Sequence, residues 1–347
     1  MAGRLTTAFW NVENLFESQT HPPKDGKGGR GPQSAPELTR KVQRLAECIN
    51  RFFATRGPDL LALAEVHTEN ILIDLESKLA SRYGYVWEPA GRTTETGLAV
   101  LVRKSLLGSI DKLAVQRPAQ MSNARPRCMI VQCDIKGCSE PFVVAVNHWR
   151  SLVVHKDEAQ APVPPAPVID ARSGPNDLDR RESADWLGNW LAITCPTRSA
   201  VVIGDFNAEP PEYYFGKGWL RSSRRFGSAL SRQTRPTYLY NAAWKFLTEP
   251  LLWEHTMRSG GGNRDTRPKR TLAAACHVWD QLMVSGAALT AKPLRLLEGT
   301  IHYHCDADNS KWDGTGAMVP VRWHYTDNTT FGGASDHYPL LAEFEVA

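Results

Sequence analysis

The stretch VVIGDFNAEP, residues 201–210, decides the fold. Val201, Val202 and Ile203 form the short continuous apolar run of a buried strand. The run then meets a carboxylate, Asp205, and two positions later a carboxamide, Asn207. Strand interiors exclude such groups unless partners satisfy them. A carboxylate and an amide at the mouth of an apolar strand therefore need an explanation from elsewhere in the chain.

Other strands end the same way. FWNVEN closes on Asn11, Glu13 and Asn14, LLALAEV on Glu65, and FVVAVNH on Asn147 and His148. HVWDQLMVS carries Asp280, and GGASDHY sets Asp336 and His337 just ahead of the last strand, HYPLLAEFEV. One polar strand end is ordinary, because strands must emerge somewhere. Six of them rich in Asp, Glu, Asn and His, with no lysine, predict a cleft at one sheet edge lined by acids, amides and two histidines.

Between the strands the apolar period changes to that of helices. Leu38, Val42, Leu45, Ile49 and Phe52 recur at helical spacing, and Gly57-Pro58 closes that segment. A second amphipathic helix is expected around Ile71–Leu79 and a third over Leu178–Ile193. CMIVQCDIKGCSEPFVVAVNH reads as two strands joined by a turn at Gly137. Strands with interspersed helices and hairpins predict an α/β sandwich of mixed sheets in a single domain over residues 1–347. Loops are expected at about 20–36, rich in Gly and Pro, and at about 155–177, rich in Pro and Ala.

Composition sets the outer limits. The chain of 347 residues is 42% hydrophobic and 22% charged, so it can bury a large core. No stretch reaches the roughly 18 consecutive apolar residues of a membrane span, and the N-terminus has no long apolar segment of a secretory signal. Seven cysteines without a C-x-x-C pair exclude the common zinc and disulfide patterns and predict a reducing cytoplasm. DADNSKWDG, residues 306–314, places its glycine wrongly for a calcium loop. Charge is concentrated in a basic insert at about 216–275. Twelve Lys or Arg face three acids there, a net +9 that leaves the rest of the chain at −5 out of the overall +4. Such a block is the electrostatic footprint of a polyanionic partner.

Hard oxygen donors suit Mg²⁺, or Mn²⁺ in its place, and such an ion neutralises charge on a phosphoryl oxygen. An aspartate beside an amide can orient and deprotonate a water, and a histidine paired with an acid can stay cationic against a phosphate. These parts describe metal-assisted hydrolysis of a phosphate ester.

WNVEN, AEV, VNHWRS, GDFN, WDQLMVS and SDHYPL, in that order over residues 10–340, resemble the motifs of the endonuclease/exonuclease/phosphatase superfamily, which includes deoxyribonuclease I and the abasic-site endonucleases. GDFN with a downstream SDH is the specific part. The resemblance implies a four-layered α/β sandwich, two central mixed β-sheets flanked by helices. It implies Glu65 as principal metal ligand, with Asn11, Glu13 and Asp336 completing the metal cluster. It gives His148 a phosphate-binding role, Asp205 with Asn207 the attacking water, and Asp280 the support of a phosphate-contacting His337. Trp279 and Gln281 flank Asp280 where members usually carry an aromatic such as tyrosine, which alters the pocket wall. NHWRS replaces a commoner pattern, which makes Trp149 and Arg150 candidates to line the substrate site. Arg181, Arg224 and Arg225 are further candidate phosphate contacts.

The substrate stays open between two readings. The basic insert and the expected location favour a nuclease acting on DNA, or on RNA. The same catalytic set would serve a phosphatase or phosphodiesterase on a small or lipid phosphate, such as an inositol phosphate or sphingomyelin.

Overall fold

The strand ends that carry Asn11, Glu65, His148, Asp205 and Asp280 are paired so that they meet at one edge of two stacked sheets. The computed structural model describes residues 3–17, 31–91, 95–118, 125–151, 175–215, 220–223, 238–248, 278–290, 293–306, 310–312, 318–320 and 333–346. Most of the basic insert, with Arg224 and Arg225, and the segment 152–174 lie outside them.

The first sheet is built on β1 (Gly3–Leu15), β2 (Leu60–Val66), β3 (Tyr83–Glu88) and β4 (Gly97–Arg103), joined late in the chain by β12 (Leu294–Leu296), β13 (His302–Tyr303) and β16 (Leu340–Val346). Its order is β12-β16-β1-β2-β4-β3, with β13 also on β16. β1 and β2 run parallel, and β16 runs antiparallel to β1. The start of β16 therefore lies at the edge where β1 and β2 end. The second sheet contains β5 (Leu107–Gln116), β6 (Cys128–Ile135), β7 (Phe142–His148), β8 (Ala200–Asp205), β9 (Ser222–Ser223), β10 (Leu239–Asn241) and β11 (Asp280–Ser285), in the order β5-β6-β7-β8-β11-β10-β9. A short pair, β14 (Ser310–Trp312) with β15 (Met318–Pro320), stands apart.

Side-chain alternation divides each strand between two cores. Leu5, Phe9, Leu60, Ala62 and Ala64 face across to Met129, Val131, Val144, Val146, Val201 and Ile203, forming the apolar layer between the sheets. Ala8, Trp10, Val12, Leu61 and Leu63 face the other way. They meet Val42, Leu45 and Ile49 of α1 (Ala35–Thr55) and Ile71, Leu72 and Leu75 of α2 (Glu69–Ser77). On the far side of the second sheet, Val143, Ala145 and Val202 pack on Ala184, Leu187 and Leu191 of α3 (Pro175–Thr194). The layers are thus helices, sheet, sheet, helix, the expected α/β sandwich. A buried Val or Leu of this kind contributes roughly 1.5–3 kcal/mol by leaving water.

The helix boundaries follow their local chemistry. α1 begins at Ala35, inside the stretch expected as loop to 36, because the Ser34 hydroxyl accepts from Glu37 N–H and Pro36 sits in the first turn, where its missing N–H costs nothing. Phe52, Phe53 and Ala54 leave helical geometry and end it ahead of Gly57-Pro58. Gly204 is required by close approach: a Cβ there would lie 2.2 Å from the Asn147 carbonyl oxygen on β7.

Candidate active site

Strand register alone brings three of the chemical groups side by side. His148 at the end of β7 pairs with Asp205 at the end of β8, and Asp205 pairs with Asp280 at the start of β11. All three are buried. The first sheet supplies the opposite wall through Asn11, Glu65 and the loop 333–339 ahead of β16.

Backbone irregularity aims the first-sheet groups. Glu13, Asn14 and Glu65 all have positive φ, near 49°, 50° and 70°. The β1–β2 pairing shifts register between Asn11 and Leu15, and the β2–β4 pairing shifts between Ala64 and Val66. Bulges of this kind redirect side chains at sheet edges, and left-handed backbone at non-glycine residues concentrates at functional sites. Here the bulge turns the Asn14 N–H onto Glu65 Oε2 at 2.5 Å, and the Glu13 N–H onto Asn11 Oδ1 at 3.1 Å. Lys41 of α1, fully buried, donates its ammonium to the Glu13 carbonyl and so supports the bulge from behind.

Asp205 sits at the centre. Its Oδ1 accepts from the Asn207 N–H at 2.9 Å, and its Oδ2 accepts from Asn11 Nδ2 at 3.1 Å. His337 Nε2 lies 3.8 Å and His148 Nε2 4.0 Å from the same Oδ2. Asn207, also at positive φ, donates its amide to the Trp149 carbonyl at 3.0 Å, while its own carbonyl accepts from buried Arg180 at 2.8 Å. His337 Nδ1 lies 2.8 Å from Asp280 Oδ2, and Asp336 Oδ1 lies 3.8 Å from His337 Nε2. The loop is pinned to β1: Trp10 Nε1 donates to the His337 carbonyl at 2.9 Å. The Ser335 hydroxyl donates to the Asn11 carbonyl at 2.6 Å and accepts from the His337 N–H.

The charges separate by environment. Burial opposes a charge on His337, but Asp280, Asp205 and Asp336 outweigh it and hold the ring cationic, well above its ordinary range. Burial pushes Asp205 up to about 7, against the pull of His337 and the Asn207 N–H. Burial also works against Glu65, yet His148, Arg125 and the Asn14 N–H bring it down to about 2. His148 goes the opposite way, lowered to about 3 chiefly by burial, and Arg125 and Arg127 add to this. Its Nδ1 has no hydrogen-bond partner among the described residues.

A hard divalent cation fits the Glu65 side of the cleft. Glu65 is ionised and has an amide, Asn11, within reach at 3.5 Å. Asp205, Asp280 and His337 also place one donor atom each within 4.8 Å of one another. That trio is better described as a hydrogen-bonded acid–imidazolium set, since a protonated ring has no lone pair for a metal.

The sequence profile of the endonuclease/exonuclease/phosphatase family matches residues 8–337. The chain belongs to that family. Members of the endonuclease/exonuclease/phosphatase family are phosphoesterases, generally dependent on a divalent metal. Among solved structures the chain is similar to D. rerio TDP2 complexed with a single-strand DNA product, at 14% identity and TM-score 0.53, covering 99% of this chain and 100% of that one. It is similar to a humanized D. rerio TDP2 at 15% identity and TM-score 0.53, covering 99% of each chain. A family protein from Bacteroides thetaiotaomicron is similar at 13% identity and TM-score 0.54, covering 100% of this chain and 99% of that one. No curated protein matches the chain. At such identities the likeness is one of fold.

The structure brings Asn11, Glu65, His148, Asp205, Asn207, Asp280, Asp336 and His337 together in one cleft. For Glu13 the backbone carries the visible role, between Asn11 and Lys41. Trp149 departs from expectation. It is fully buried against Phe206, Tyr214 and Phe215 behind the second sheet, with its Nε1 on Asn147 Oδ1 at 3.2 Å, so it does not line a substrate site. Arg181 is engaged with the Tyr213 hydroxyl at 2.7 Å and with Asp177 at 2.8 Å. Arg150 is half-buried, 4.0 Å from Asp179. Arg125 went unmarked in the sequence, yet its guanidinium stands 3.8 Å from Glu65 Oε1, braced by Glu95 at 2.8 Å.

Proposed function

We propose that the chain hydrolyses phosphodiesters with a bound Mg²⁺, or Mn²⁺, and that its substrate is nucleic acid, DNA before RNA. The observation that carries this reading is Asp205, raised to about 7, held by two amide donors, and facing the cationic His337. A carboxylate of that kind is matched to accept a proton near neutrality. Asn207 orients the attacking water and Asp205 takes its proton. His337, kept charged by Asp280, meets the phosphate oxygens, and neutral His148 offers a further donor. Glu65, with Asn11 and Asp336, would hold the cation, which when bound supplies neutralisation of the phosphoryl charge.

Three features support a nucleic-acid substrate: the basic insert, the arginines 125 and 150 in the connections of the second sheet, and a structural neighbour holding a single-strand DNA product. We also read residues 1–347 as one catalytic domain, because both sheets contribute to one continuous apolar layer. Free thiols at Cys128, Cys133, Cys138 and Cys195 suit a reducing cytoplasm. Among the described residues no helix is long and apolar enough to cross a membrane.

The test is incubation with plasmid and single-stranded DNA in Mg²⁺, Mn²⁺ or EDTA, with Asp205→Ala and His337→Ala alongside. Metal-dependent cleavage lost in both variants is expected. A folded wild type that leaves DNA and RNA intact but releases phosphate from a small or lipid phosphate would overturn the nuclease reading. Cleavage surviving both substitutions would overturn the catalytic assignment.

A further inference from the structure

A second set of ligand-type side chains meets where α1 faces the segment that follows β13. Cys48 of α1 is 2% exposed, His304 and Asp306 are half-buried, and one donor atom from each lies within 4.8 Å of the others. A buried thiol alone would pack as a small apolar side chain. This one shares its point of approach with an imidazole and a carboxylate, both of them oriented. Arg51, one turn along α1 from Cys48, donates Nε to Asp306 Oδ2 at 3.0 Å, and His304 Nε2 stands 3.3 Å from the same oxygen. The His304 ring is fixed edge-on against Phe52, with centroids 4.9 Å apart. Partners that steady a carboxylate and a ring in this way are what metal ligands rely on around their first sphere.

We propose that Cys48, His304 and Asp306 bind a zinc-class divalent cation at a site separate from the one at Glu65. The donors are one sulfur, one imidazole nitrogen and one carboxylate oxygen. That set selects borderline-soft ions such as Zn²⁺ or Co²⁺ over Mg²⁺, which prefers oxygen alone. Binding forms a metal–sulfur bond as the thiol releases its proton to solvent, while the imidazole gives up its contact with Asp306 and offers its nitrogen lone pair. No electron transfer is involved, and water completes the coordination shell. The bound ion would fasten the segment 304–306 to α1. That segment already reaches the catalytic edge: the Tyr303 hydroxyl donates to the Asp280 carbonyl at 2.6 Å, and the His304 N–H donates to the Pro339 carbonyl at 2.8 Å. The site therefore braces the strand beneath the Asp280–His337 pair rather than taking part in hydrolysis.

Cobalt separates this site from the other, because the Glu65 side offers only oxygen and nitrogen. The full chain, stripped with a chelator and then held in excess Mg²⁺, is titrated with Co²⁺ while near-ultraviolet absorbance is followed for thiolate-to-cobalt charge transfer. The expected result is a saturable band at about one equivalent, displaced by Zn²⁺ and accompanied by a higher melting temperature. The band should vanish in Cys48→Ser, weaken in affinity by roughly tenfold or more in His304→Ala, and persist in Cys305→Ser. Circular dichroism confirms that each variant is folded; should Cys48→Ser fail to fold, His304→Ala and Asp306→Asn decide. No band in the folded wild type, a band that survives Cys48→Ser, or one unchanged in both His304→Ala and Asp306→Asn would overturn the site.

Discussion

His337 and Asp280 come from different sheets and meet at 2.8 Å, so the cationic ring is held by a bond that crosses the sandwich. Its other nitrogen faces Asp205 at 3.8 Å. The pair is an electrostatic device: an acid buried at the start of β11 keeps a proton on a ring that stands at the mouth of the cleft.

Asp280→Asn should therefore remove the charge and spare the fold. The amide keeps the size of the acid but no longer raises His337. We expect kcat to fall roughly 10²–10⁴-fold, with substrate affinity changed far less. Steady-state kinetics on an oligonucleotide would check this; a loss confined to KM would contradict the role given to the pair.

The raised Asp205 predicts a pH profile. Below about 7 its carboxyl is protonated and cannot accept a proton from water, so kcat/KM should climb as pH rises through that value in the wild type. Asp205→Asn should lose at least about 10² in rate and with it the dependence on this ionisation. A wild-type profile that stays flat from acid to alkali would reject Asp205 as the base.

His148 gives a stability prediction of definite sign. Its folded value lies near 3, below the ordinary 6.5, so the unfolded chain binds the extra proton between those values. Stability is fully present above pH 6.5 and is lost as pH falls toward 3. At pH 5 the loss from this group is on the order of 2 kcal/mol. Chemical denaturation of wild type and His148→Asn at pH 7.5 and pH 5 isolates it: the wild type should lose more on acidification than the variant.

Lys41 acts behind the site. Lys41→Met keeps the apolar stem and removes the ammonium that donates to the Glu13 carbonyl, at a cost of about 1–3 kcal/mol. With the bulge loosened, Asn14 no longer presents its N–H squarely to Glu65. Mn²⁺ affinity measured by calorimetry should drop roughly 10–100-fold. Unchanged Mn²⁺ affinity in a folded variant would reduce Lys41 to a packing role.

Much of this architecture was readable because the central strands are buried on both faces. β2 and β8 are unbroken apolar runs, so the acid at the end of each stood out. β3 and β5 were harder. Residues 107–116 form an exposed edge strand whose sequence, LGSIDKLAVQ, lacks the pressure to be apolar. Trp149 was misplaced because it follows His148, yet successive strand residues face opposite sides, and that alternation sends the indole into the helix-facing core. Lys41 did leave a trace, lying on the apolar face of α1 three positions after Leu38 and four before Leu45. Arg125 left none, since its approach to Glu65 joins residues far apart in the chain. Ser335 was inside the SDH motif, but its hydroxyl bridge to β1 is a tertiary contact with no local signature.

The apolar layer between the sheets also works as a spacer. Asn11, Glu65 and His337 ride on one sheet, while His148, Asp205 and Asp280 ride on the other, and only side-chain volume sets how far apart the two carriers stand. Leu98, Val100, Met129 and Val144 never meet a phosphate, yet their bulk sets the gauge of the reaction site. Evolution could widen or narrow the cleft by trading methylenes in that layer, adapting the same chemical groups to a different ester without altering one of them.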